Sequence, residues 1–423
     1  MTAVGGVSAE VARTPHRPAI PYDVRIRLHP LSVVRESDDS FIVGNAGTDS
    51  FIRVPGVATR VIAALAEGGS LEAVRRDLLA QGLGELDLEG FVAELRECGL
   101  VAQIGDEVFA GPPASTDGIW LSRVPPAVAA RFFSVPAWAF YAACLGFSLA
   151  VLVFRPELRP AYEDFFFYPD PAVCLVVSWL LAWVLTVVHE FGHLVAARAT
   201  GLGARFTVSR RFWFVVLETD LSSLWARPRR QRLQAFLAGM AVDMTVLAVC
   251  LALRLAWAQG WRSFPPEVFT ALGLVVVLQT FAIGWQFFLV MRTDLYAVLV
   301  TVLGCSNLYR VKNLYLKKCL RLLSRPEAEE LAAADPRDVR VARWFGWAYA
   351  IALVWAVYFL VQFFVPATVV MAGWAIGSLL ATPAAGRAFW EAFTLVALAG
   401  VQAALPLVVF AVERLRTRRQ ARS

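Results

Sequence analysis

The chain has 423 residues, of which 58% are hydrophobic and 17% charged, with a formal net charge of +6 and a mean hydropathy of +0.58. Soluble globular proteins carry about 25% charged residues, so this balance excludes an ordinary soluble enzyme and points to a membrane protein. Residues 1–112 hold 10 Lys/Arg against 16 Asp/Glu. A region so acidic lacks the basic face that replaces counterions on a phosphate backbone, which excludes nucleic acid as a partner.

The first 24 residues contain no apolar core segment, so they read as a disordered, cytoplasmic N-terminus without a secretory signal. Residues 25–104 read as a compact α+β unit. LSVVRE, SFIVGN and SFIRVP are short strand-like runs broken by turn signals at Ser37, Asp39, Asn45 and Gly47. Helical patterns follow over 56–66, 70–81 and 87–98, with Ser70 and Asp87 as natural N-caps and Gly82 and Gly99 as stops. GLVAQIG then reads as a returning strand, and strands at the edge of a small three-helix core suggest a winged-helix shape. Residues 105–135, with the Pro/Gly/Ser-rich GPPASTDG, form a linker to the rest.

From Pro136 onward the apolar runs are long enough to cross a ~30 Å hydrocarbon core. Six spans are expected, over 136–154, 171–197, 232–257, 268–291, 343–365 and 389–412, within a membrane domain covering 136–412. The apolar stretch 366–382 is interrupted by Pro366, Gly373 and Gly377, and reads as a re-entrant or surface piece; 413–423 is a basic tail. The fold class is therefore mainly α: a polytopic helical membrane protein with a small N-terminal α+β domain. Loop charges test the count. Seven Arg fall in 198–231, nine basic residues in 292–342 and five after Glu413, whereas 155–170 has two Arg against four acidic residues. Basic and non-basic loops alternate as six spans require, with both termini cytoplasmic. Arg outnumbers Lys 37 to 3, which hints at a GC-rich bacterial genome and hence a bacterial plasma membrane. The six cysteines have no paired spacing and read as small buried residues.

The second expected span ends in WVLTVVHEFGHLVAAR. His189 and His193 are four residues apart, so on a helix both imidazoles project from one face, as two of the four positions of a tetrahedral zinc site require. Glu190 lies between them, where it can take a proton from water and pass it to a leaving amine. Ionisable side chains inside an apolar helix are costly and mark function. The other histidines, His16 and His29, belong to the soluble part, so a third ligand should be a carboxylate within the membrane, either Asp243 or Asp294. Depth favours Asp294: it follows a span that also runs outside to inside, whereas Asp243 starts roughly 15 Å deep in a span entered from inside. Asp243 then reads as an alternative ligand or as a partner supporting one. Glu218 and Asp220 read as solvated loop residues, and WARPRRQR (225–232) as an interfacial anchor.

HEFGH in a membrane helix, with an Asp about 100 residues later at matching depth, resembles the site-2-protease (M50) family of intramembrane zinc metallopeptidases, closest to its peptide zinc metalloprotease branch. In the second motif Asp294, Tyr296, Asn307 and Leu308 match, while Leu295 replaces the usual Gly and the preceding Asn and Pro are missing. The resemblance implies that His189, His193 and Asp294 bind Zn2+ and that Glu190 is the general base. Residues 25–104 resemble PqqD-like domains, which bind the leader segment of ribosomally made peptides; LSVVRESDDSFIVGNAGTDSFIRVP and FVAELRECGLV carry that likeness. Together they imply a protease that matures or clears a precursor peptide, acting beside peptide-modification or export proteins in the lipid bilayer. Two other expectations stand beside it: a non-catalytic membrane peptide-binding or export protein with a structural or vestigial zinc site, and a transporter using Asp243 and Asp294 as a relay.

Overall fold

The computed structural model describes residues 5–6, 21–37, 40–45, 50–82, 86–109, 124–202, 204–211, 214–305, 307–359, 361, 365–381 and 386–420. Most of the 1–24 segment, residues 110–123 of the expected linker and His16 lie outside the described residues. Within that N-terminal stretch, β1 (Gly5–Gly6) runs parallel to the strand β5, so the segment expected to be disordered contributes one short edge.

The N-terminal unit comprises β2 (Ile26–Leu28), β3 (Ser32–Ser37), β4 (Ser40–Asn45), β5 (Ser50–Pro55), α1 (Gly56–Ala66), α2 (Leu71–Ala80), α3 (Leu88–Glu97), β6 (Val101–Ile104) and β7 (Glu107–Val108). Ser70 and Asp87 cap α2 and α3 by accepting hydrogen bonds from the amides of Ala73 and Gly90. One sheet has the order β1-β5-β4-β3 and the other β2-β6-β7; β7 carries the unit beyond residue 104. Successive strand residues point to opposite faces, and here both faces of the first sheet are apolar. Val43, Ile52 and Val54 pack on Val61, Leu65, Val92 and Leu95 of the helices. Ile42 and Phe51 point the other way, against Trp225 and Ala226 of the membrane unit.

That unit begins with α4 (Pro126–Arg131), α5 (Val135–Phe154) and α6 (Pro171–Ala199). A hairpin of β8 (Arg205–Arg211) and β9 (Phe214–Asp220) and a 3-10 turn (Ser222–Ala226) lead into α7 (Arg229–Phe236) and α8 (Ala238–Ala258). Then come α9 (Pro266–Gln286), α10 (Asp294–Leu303), α11 (Leu308–Cys319), α12 (Arg325–Ala332), α13 (Pro336–Phe359), α14 (Val365–Ala381) and α15 (Arg387–Gln420). Among the described residues, five helices are long and apolar enough to cross a membrane: Val135–Phe154, Ala172–Ala199, Arg229–Ala258, Pro266–Gln286 and Arg387–Ala411. The chain is a mainly α-helical membrane protein with a small N-terminal β-sheet region. Half of the α8 stretch is buried, against 6–22% for the other four, so α8 is the centre of the bundle.

Several elements differ from the sequence expectation. The span expected over 343–365 falls on α13, whose first turns carry Arg337, Arg340 and Arg343; it is not among the five, and residues 360 and 362–364 lie outside the described residues. Over its described residues, 366–381, the expected re-entrant or surface piece is unbroken. It forms the helix α14, because Pro366 sits in the first turn, where its missing N–H removes no helical bond. The basic tail continues α15 through Pro406 as far as Gln420. The loop holding Glu218 and Asp220 is a strand, β9, with Arg205 opposite Asp220 and Thr207 opposite Glu218. Trp225 and Arg232 are 5% and 0% exposed, so the two ends of WARPRRQR are buried, Trp225 against the N-terminal sheet, while Pro228, Arg229, Arg230 and Gln231 between them are exposed.

Candidate metal centre

α6 carries His189, Glu190 and His193, all buried. A single Oδ2 atom of Asp294 lies 3.0 Å from His189 Nε2 and 3.2 Å from His193 Nε2, and the two Nε2 atoms are 3.2 Å apart. Tetrahedral zinc with ligand bonds of about 2.0–2.1 Å needs ligand atoms about 3.3 Å apart. The spacing of the triangle fits such an ion, and two nitrogens with one carboxylate oxygen form a donor set suited to zinc.

The other ring nitrogens are occupied from behind. His189 Nδ1 meets Asp243 Oδ2 at 2.7 Å, and His193 Nδ1 donates to the backbone carbonyl of Ala235 at 2.8 Å. Both contacts leave Nε2 facing the triangle, the arrangement that fixes a metal-binding histidine in tautomer and orientation. Asp243 thus touches the far side of His189, away from the three converging atoms.

Asp294 reaches the site because the chain breaks between α9 and α10. After Gln286 the backbone passes a short 3-10 turn and Arg292 in the left-handed region (φ 54°), then restarts as helix at Asp294. Gln286 closes the break: its side-chain oxygen accepts from the Asp294 amide at 3.1 Å and its carbonyl from Thr293 Oγ1 at 2.6 Å. The Asn and Pro missing from the motif are therefore not required for a break here.

Two glycines let α8 close over the histidines. A Cβ on Gly239 would lie 2.3 Å from His189 Nε2 and 2.6 Å from His193 Nε2, in the space an ion would take. A Cβ on Gly192 would lie 2.9 Å from the Ala238 carbonyl oxygen, so glycine there permits close helix approach. β9 covers the remaining acid. The Thr219 amide donates to Glu190 Oε2 at 2.7 Å, and Thr219 Oγ1 donates to the Glu190 carbonyl at 3.1 Å.

The structure thus gathers His189, Glu190, His193, Asp294 and Asp243 in one place, while His29 stays in the N-terminal unit, its amide on the Leu100 carbonyl. Sequence reasoning missed Thr219, Gly239, Gln286 and the Ala235 carbonyl. FTVSRRFWFVVLETD has a strand's composition, and Gly239 lies four residues before Asp243, on the same helix face. No protein-family model, curated protein or solved structure matches this chain.

Proposed function

We propose that this protein is an intramembrane zinc endopeptidase that hydrolyses a peptide bond in a precursor peptide recruited by its N-terminal domain. The carrying observation is the convergence of His189 Nε2, His193 Nε2 and Asp294 Oδ2 within 3.2 Å of one another, from two separate helices. Three protein ligands leave a fourth position for a reactant, as catalytic sites do and closed structural sites do not. His189, His193 and Asp294 would hold the metal; zinc bound there would supply Lewis-acid polarisation of the scissile carbonyl and a water with its pKa brought toward ~7.

Glu190 accepts the proton of that water and returns it to the leaving amine; the Thr219 amide fixes one of its carboxylate oxygens. Asp243 and the Ala235 carbonyl hold the two imidazoles in the orientation that aims Nε2 at the metal. The Asp294 side chain is the most exposed of the three ligands, at 25% against 11% and 2%, so substrate approaches from that side. It must be extended or unwound, since a helical peptide bond is shielded by its own hydrogen bonds. The arginine-rich segments between helices support a basic, cytoplasmic side of the membrane.

The test uses the full chain in detergent with its precursor peptide. Glu190→Gln keeps one zinc per chain and abolishes cleavage. Cleavage that survives in this variant rejects Glu190 as the base, and parent protein that takes up no zinc rejects the metal centre. Parent protein that binds zinc yet leaves the precursor intact replaces the peptidase with a peptide-binding or export protein.

A further inference from the structure

We infer that the N-terminal domain controls the geometry of the metal centre through the Glu36–Arg232 ion pair, so that it regulates the site as well as recruiting to it. This rests on the reading of His189, His193 and Asp294 as metal ligands. The outward face of the first sheet presents Glu36, Ile42, Phe51 and Arg53 on alternating strand positions. Each contacts an element that carries a residue of the site or adjoins one that does.

Arg232 on α7 is completely buried, and Glu36 of β3, 196 residues earlier, is 7% exposed beside it. Arg232 Nε and Nη1 have no hydrogen-bond partner among the described residues, so its neutralisation depends on the Glu36 carboxylate. One helical turn beyond Arg232 lies Ala235, whose carbonyl holds His193 Nδ1. The Arg232 guanidinium also stacks 4.7 Å over the Trp225 ring, and Trp225 packs with Ile42 and Phe51 of the sheet. Trp225 lies in the turn that follows β9, whose Thr219 holds Glu190. Arg53 donates to the Gly304 carbonyl at 3.2 Å, at the C-terminal end of the helix that begins with Asp294.

Losing the Glu36 charge while the sheet still covers α7 leaves a buried guanidinium without its counter-charge, which is strongly destabilising. α7 must move to solvate it, and the Ala235 carbonyl moves with α7. Loss of a group that orients a ligating histidine typically weakens metal binding ten- to a hundredfold. The coupling is reciprocal by linkage: metal on the site tightens docking as much as docking tightens the metal. A peptide that shifts β3–β5 as it binds therefore changes the metal centre directly.

The experiment uses the full chain in detergent with Co2+ as spectroscopic probe. Glu36→Gln and Ile42→Glu both act from the soluble side of the contact; Glu107→Gln, which removes a surface pair with Arg96 on the same domain, is the control. The first two variants weaken Co2+ binding roughly tenfold and shift its visible absorption bands, while Glu107→Gln changes neither. In the parent, Co2+ slows hydrogen exchange over 40–55 and 222–226; in Glu36→Gln it does not. Slow exchange within α1–α3 in every variant verifies that the domain is folded. Wild-type Co2+ affinity and spectrum in both interface variants overturn the inference, and parent protein that binds no Co2+ overturns the metal centre beneath it.

Discussion

The Asp243 carboxylate sits 2.7 Å from Nδ1 of His189, while Nε2 of the same ring faces Asp294 at 3.0 Å. The two aspartates therefore divide the ring between them. Asp294 joins the converging triangle, and Asp243 holds the imidazole from behind, which fixes its tautomer and orientation. Asp243→Ala should weaken zinc binding about ten- to a hundredfold in a chelator competition titration. Asp243→Asn, which keeps a hydrogen-bonding group in place without the charge, should lose less. Equal and complete loss of zinc in both variants would make Asp243 a ligand itself.

The backbone of α8 at Gly239 forms one wall of the same site. A methyl group there would sit 2.3–2.6 Å from both Nε2 atoms, inside the volume of an ion about 2 Å from each. Gly239→Ala should abolish zinc uptake because both imidazoles must move away from the added carbon, while the α8 backbone keeps its helix, alanine being a better helix residue than glycine by about 1 kcal/mol. Gly146→Ala, where nothing lies within 4 Å of the added carbon, is the matched control. Zinc content after dialysis decides the matter: retention of metal by the Gly239 variant would mean that the ion lies elsewhere than in the triangle.

Local chemistry made much of this architecture legible in the sequence. The i,i+4 spacing of His189 and His193 puts both rings on one helix face whatever the tertiary context, and Ser70 and Asp87 mark helix starts because their side chains satisfy local amides. The depth argument pointed to Asp294 because span direction alone orders residues along the membrane normal. What escaped depends on long-range contact. Arg232 looks like an interfacial arginine until Glu36 is placed beside it, and nothing local links residues 196 positions apart. Thr219 meets the Glu190 carboxylate through its backbone amide, which every non-proline residue carries, and its hydroxyl bond to the Glu190 carbonyl joins residues 29 apart, so nothing local marks it. The same charge-based reasoning that located basic loops concealed the β8–β9 hairpin, because its arginines dominate a segment whose remaining residues favour strand.

Lys312 offers a test of the region behind the helix break. It lies on α11, fully buried, with its ammonium 3.9 Å from the Tyr309 ring centre and 3.1 Å from that of Tyr349. The nitrogen has no hydrogen-bond partner among the described residues. Burial, with the Arg292 guanidinium nearby, pushes its pKa from the usual 10.5 down to about 7. Between those values the unfolded chain holds a proton that the folded chain releases, so this group makes stability rise with pH from about 7 to 10.5. Below pH 7 both states are protonated and the cost of the buried charge is carried in full. Lys312→Met keeps the apolar stem and removes the charge. Its thermal midpoint in detergent should exceed the parent's at pH 7, and the difference should shrink steadily toward pH 10. A constant difference across that range would mean that the amine titrates alike in both states, and that the ring faces of Tyr309 and Tyr349 compensate for the water the ammonium has lost.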